Sequence, residues 1–145
     1  MKWVTRSHVH VDRVACPWLI RRFLDSQAEL IFVPKSRVLE TAQREGAISY
    51  DSPGAAYDHD GDLCTFDVLI REWGLTDAPL LRMAKIVNGA DTRRYDQDPI
   101  ARGLEALAVG YALRFPDDQK NLEMQFQLYD ALYAWCSLEV AKGNS

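Results

Sequence analysis

Two hydrophobic periods divide this chain. In the N-terminal half, short apolar runs bounded by turn residues read as strands over Lys2–Arg6, Glu29–Val33 and Ala47–Asp51. In the first of these, Trp3 and Thr5 take one face and Val4 the other. Between the strands the period is helical. A helix is predicted from about Val14 to Asp25, with Asp12 as its N-cap and Pro17 in its first turn, where a missing N–H costs little. Pro34 ends the second strand, Ser36 caps a short helix over Arg37–Glu45, and Gly46 stops it. Ser52-Pro53-Gly54 makes a turn from which Ala55–Asp58 returns as a hairpin strand.

Beyond the polar loop Tyr57–Cys64 every predicted element is a helix. Thr65 caps Phe66–Trp73, which Gly74 ends, and Thr76 or Asp77 caps a helix that runs through Pro79 to about Ala90. A polar connector, Asp91–Asp98, leads to a helix that ends before Pro116, with Ile100, Leu104, Leu107, Ala108, Tyr111 and Phe115 at helical spacing. The last helix, about Asp117 to Ala141, carries two adjacent apolar seams. Leu122, Phe126, Tyr129, Tyr133, Cys136 and Val140 form one; Met124, Leu128, Ala131, Trp135 and Leu138 form the other. Such an arc is wider than one contact face. Either other elements sandwich the helix or part of the arc is a homodimer surface. The expected fold is α+β, a single compact domain over residues 1–145. It has a small mixed sheet with helices packed on it in the N-terminal half and an all-helical C-terminal half.

Composition narrows the setting. A net charge of −4 argues against general nucleic-acid binding, which favours a basic surface. No apolar segment follows the first residues as a signal peptide would require, and no apolar run is long enough to span a membrane. Cys16, Cys64 and Cys136 are far apart, with no C-x-x-C pair, as in reduced cytoplasmic proteins. A cytoplasmic protein with no direct nucleic-acid contact and no membrane insertion is expected.

The candidate chemistry gathers in Ser7–Phe23. An extended His8-x-His10-x-Asp12 run would turn its three polar side chains to one side, and imidazole plus carboxylate suits zinc, iron or manganese. Solvated histidines beside a helix cap are the competing interpretation. His59, in Asp58-His59-Asp60-Gly61-Asp62, is the only other histidine in the chain. That loop is not an EF-hand, because its glycine stands fourth rather than sixth. A mononuclear site would join His59 to His10 and Asp12, with Asp91 or Asp67 as further ligands. Cys16 and Cys64 each stand near a predicted helix start, where a thiolate is favoured, although buried free cysteine is common. Arg13 lies inside the His-Asp segment and, with Cys16 and Cys64, is the candidate contact for an anionic ligand.

These residues stand in a longer pattern: W-V-T-R-x-H-V-H-V-D-R-V-A-C-x-W-L-I-R-R-F, then D-x-P-G, H-x-G-x-x-C-T-F-D and L-L-R-M-A-K-I-V-N-G-A-D-T. It resembles the ChrB-type chromate resistance domain across Lys2 to Thr92 and more loosely beyond. The resemblance implies a role in chromate resistance beside a membrane efflux transporter. Larger members carry this domain at their C-terminal end and look like chromate-responsive regulators, with a separate portion for DNA. Inside matched blocks stand His10, Asp12, Arg13, Cys16, His59, Cys64 and Asp91. Two positions depart from the pattern: Pro17 follows Cys16, and Asn88 stands where relatives can carry histidine. The leading expectation is a binding or sensing domain for chromate or a similar oxyanion, with a divalent metal (Zn, Fe or Mn) or an Arg-lined oxyanion site. The alternatives are a metal- or thiol-dependent redox enzyme acting on chromate or its damage products, and a helical docking partner of a regulator or transporter.

Overall fold

Trp3, Val4 and Thr5 are all fully buried, so the first strand has protein on both faces. Such burial is expected of a central strand flanked by crossover connections. The computed structural model describes all 145 residues. Strand β1 (Lys2–Arg6) lies between β2 (Glu29–Val33) and β3 (Ile48–Ser49), in the order β2-β1-β3. The α+β class holds, with the sheet confined to the N-terminal half. Both pairings are parallel, where a mixed sheet was expected. β1 and β2 are each followed by a helical crossover to the next strand, and crossovers return the chain in the same direction. The expected hairpin at Ala55–Asp58 is absent. Tyr57 makes a single parallel bridge to Tyr50 instead.

Helix α1 spans Val11–Leu19 and runs into a π-turn at Ile20–Leu24. It starts earlier than the sequence suggests, and three expectations change with it. His10, not Asp12, occupies the N-cap, and Asp12 falls inside the first turn. Pro17 sits in the helix interior rather than at its start, where it removes one donor from the ladder just upstream of the widened π-turn. His8 adopts a left-handed backbone (φ 65°), held by Asp118, whose carboxylate accepts the N–H groups of His8 and Val9. The extended His8–Asp12 run is therefore broken, and those three side chains do not share one face.

Helix α2 (Val38–Glu45) follows a 3₁₀ turn at Lys35–Arg37, so Ser36 is not a cap, and Gly46 ends the helix at φ 64°. In α3 (Thr65–Glu72) the cap is Cys64 rather than Thr65. Helix α4 (Ala78–Thr92) is capped by Asp77, has Pro79 in its first turn, and continues through Asp91. It forms the hub of the C-terminal half, packed by α1, α3, α5 (Ala101–Arg114) and α6 (Asp118–Ala141). On α6 the first seam is buried against α4 and α1 at Leu122, Phe126, Tyr129 and Cys136. The second seam is only partly covered, and Leu138 is exposed.

Candidate functional site

In open parallel sheets, ligand clefts form beyond the carboxyl ends of the strands, where successive crossovers diverge. Here that place is between β1 and β3. The chain leaving β1 enters α1 and delivers Asp12 and Arg13, and the chain leaving β3 delivers Asp51. The Tyr57–Cys64 loop adds His59, and the last turn of α4 adds Asp91.

The His59 Nε2 atom lies 3.3 Å from a carboxylate oxygen of Asp12, of Asp51 and of Asp91. One ring N–H cannot point at three acceptors at once. Metal–ligand bonds of about 2.0 to 2.2 Å, in contrast, set neighbouring donors roughly 3 to 3.5 Å apart around one ion. His59 is the exposed member of the cluster, while Asp12 and Asp51 are deeply buried. Cys64 Sγ lies beside two of these carboxylates: it and oxygens of Asp12 and Asp91 lie within 4.8 Å of one another.

Asp12 and Asp51 are held from outside the His59 cluster. Asp12 accepts the N–H groups of Thr65 (2.8 Å) and Phe66 (3.1 Å), so it also caps the start of α3 from across the core. Asp51 accepts the Thr65 hydroxyl at 2.8 Å and the Arg13 guanidinium at 3.3 Å. Arg13 also donates to the His8 carbonyl. Beneath the cluster, Asn88 donates to Asp67 and to the Asp62 carbonyl and accepts from Arg94 and Gln97. Position 88 thus braces the loop and α3, with its amide fully engaged.

The electrostatics follow from packing like charges in a buried place. Burial pushes Asp12 up, and the neighbouring Asp51 adds to it. Burial also acts on Asp51, but hydrogen bonds from His59 and Thr65 and the charge of Arg13 outweigh it, leaving Asp51 below the usual carboxylate range. Asp91 is pushed up to about 7, by burial first and then by Asp12 and Asp51. Hydrogen bonds to Asp12 and Asp51 raise His59 to about 10. Counting Asp12, Asp51 and Asp91 as anions and Arg13 as a cation, the pocket with neutral His59 carries −3 + 1 = −2.

The fold gathers Asp12, His59 and Asp91, together with Arg13 and Cys64 at the edge. It does not bring His10 to them. His10 lines a separate cavity of about 260 Å³ with His8, Phe115, Asp118 and Asn121, and burial lowers its pKa. Asp51 was missed. Its signal was present: an aspartate at the end of a strand, directly before a Ser-Pro-Gly turn. The expected thiolate stabilisation at helix starts is not found in this arrangement. Cys16 and Cys64 are both buried, and burial together with Asp12 pushes both thiols up.

A family model described as "ChrB, C-terminal domain" matches residues 3–136. "Protein ChrB" of Cupriavidus metallidurans (strain ATCC 43123 / DSM 2839 / NBRC 102507 / CH34) is 36% identical over 135 residues, which cover 91% of this chain and 40% of that protein. The chain thus spans well under two thirds of that relative's length. No solved structure matches.

Proposed function

The chain belongs to the ChrB C-terminal domain family of chromate-resistance proteins, and from that premise we propose that it is a cytoplasmic binding or sensing domain built around a divalent-cation site. Asp12, Asp51, His59 and Asp91 are its ligands. The observation that carries this reading is the set of three 3.3 Å separations around His59 Nε2. The charge agrees: with His59 neutral and Asp91 ionised, as ligands must be, a divalent cation takes over the charge balance that protons on these two groups otherwise supply. Buried charge without such balance is costly. One imidazole and three carboxylates are a mixed donor set that accepts manganese, iron or zinc.

The same charge bears on the oxyanion alternative. Arg13 is already engaged by Asp51 and the His8 carbonyl, so it is not a free anion contact. A tetrahedral dianion such as chromate is repelled by the metal-free cluster and is received only once the cation is in place. The test is equilibrium dialysis of untagged, chelator-stripped chain against Mn2+ or Zn2+. The wild type binds one equivalent, and His59→Ala and Asp51→Asn each weaken binding at least about 10-fold. Unchanged metal binding in both variants overturns the reading.

A second reading, docking, rests on a different surface from the one expected. On α5, Leu107, Val109 and Leu113 are exposed. Leu107 and Leu113 border a groove of about 550 Å³ with Tyr111, Phe115 and Met124. A self-associating α5–α6 face accounts for that exposure.

A further inference from the structure

The cation site described above leaves one neighbouring donor unused, the thiol of Cys64. Its Sγ groups with carboxylate oxygens of Asp12 and Asp91, all within 4.8 Å of one another. Those two carboxylates are also two of the three that meet His59 Nε2 at 3.3 Å. The sulfur and the imidazole therefore flank the same two carboxylates. We propose that Cys64 is a sulfur ligand of the cation held by Asp12, Asp51, His59 and Asp91, so that the site takes a borderline transition metal such as Fe2+, Co2+ or Zn2+ in preference to Mg2+ or Ca2+. This inference rests on the cation-site reading and goes beyond it by naming the metal class. Thiolate is a soft donor that magnesium and calcium do not favour.

The surroundings permit the exchange. The thiol donates to Asp67 Oδ2 at 3.2 Å, its competing role. That oxygen also accepts the Cys64 N–H (3.1 Å) and the Asn88 amide (2.6 Å). Loss of the thiol proton leaves Asp67 paired twice over. Cys64 is the N-cap of α3; burial, Asp12 and Asp67 push its thiol up, so the proton leaves only as a cation takes its place. The step is ligand exchange without redox change: Cys–SH and M2+ give Cys–S–M, and one proton leaves to solvent. Cys16 is placed differently. Its Sγ donates to Asp12 alone, at 3.5 Å, from within the core.

Co2+ is the probe, added to the reduced, chelator-stripped full chain while binding is followed by equilibrium dialysis and absorption. The bound wild type gains a near-ultraviolet thiolate-to-cobalt band. Cys64→Ser, which keeps a good N-cap, loses the band and binds Co2+ at least about 10-fold more weakly, while its Mn2+ affinity changes less than about 3-fold. Cys16→Ser keeps the band. Circular dichroism checks that both variants fold. Cobalt bound without the band, or a band that survives in Cys64→Ser, overturns the sulfur ligand and leaves the cation site standing. No cobalt bound at all overturns both.

Discussion

His59 is the one imidazole in the cluster, and its proton competes with any cation. Without metal its pKa is raised from 6.5 to about 10, chiefly by hydrogen bonding to Asp12 and Asp51. A raised histidine stabilises the fold fully below its unfolded pKa of 6.5, and that contribution is lost as pH rises through about 10. His59 is 42% exposed, so solvent screening keeps the contribution small. Asp91, raised from 3.8 to about 7, has the same sign at lower pH: its contribution is present below 3.8 and lost as pH passes about 7. Melting of the metal-free chain between about pH 6.5 and pH 10 should therefore show the Tm falling more steeply in the wild type than in His59→Gln; equal slopes would refute this assignment. Cation binding needs Asp91 ionised and His59 neutral. Mn2+ affinity should rise at least about 10-fold from pH 6 to pH 8, measured by dialysis.

At the scale of elements, two glycines on neighbouring helices make opposite predictions. On α4, a Cβ at Gly89 would lie 2.8 Å from the Ala101 Cβ and 3.2 Å from the Arg94 carbonyl oxygen. Close approach of the chain around α5 requires glycine there, next to the Asn88 brace. Gly89→Ala should destabilise by about 1 to 3 kcal/mol, because overpacking outweighs the gain in helix propensity. At Gly110 on α5 a Cβ meets nothing within 4 Å. Gly110→Ala should stabilise by about 0.5 to 1 kcal/mol. Urea denaturation decides both. Asp77 ties elements together in a different way: it caps α4 through the Leu80 N–H and accepts the Tyr133 hydroxyl of α6 at 2.7 Å. Its replacement by Ala should cost about 1 to 2 kcal/mol in the same assay.

For the whole molecule, burial is uneven. The core runs continuously from Trp3 through α1, α3 and α4 to Tyr129, yet α5 buries only Ala101, Leu104 and Ala108. Its outer face is left apolar, and Leu113 is 79% exposed. Sedimentation of the wild type should show a dimer, and Leu113→Asp should convert it to a folded monomer. A monomeric wild type at tens of micromolar would reject self-association through this face. No helix is long and apolar enough to cross a membrane.

The sequence by itself determined the α+β class, the strands Lys2–Arg6 and Glu29–Val33, and the helix stops at Gly46 and Gly74, because these depend on periodicity and on backbone conformations that glycine adopts readily. It also marked Asp12, His59 and Asp91 as side chains with chemistry. Tertiary structure alone decided which of them meet. Asp12 and Asp51 are separated by most of the first crossover, by β2 and by the second crossover, and come together only because β1 and β3 pair in parallel. His10 is two residues from Asp12, yet it turns into another cavity, because the Asp118 carboxylate on the last helix pins the backbone at His8 and Val9. A contact made 110 positions away in sequence leaves no local periodicity to read, and it sets which histidine can serve the site.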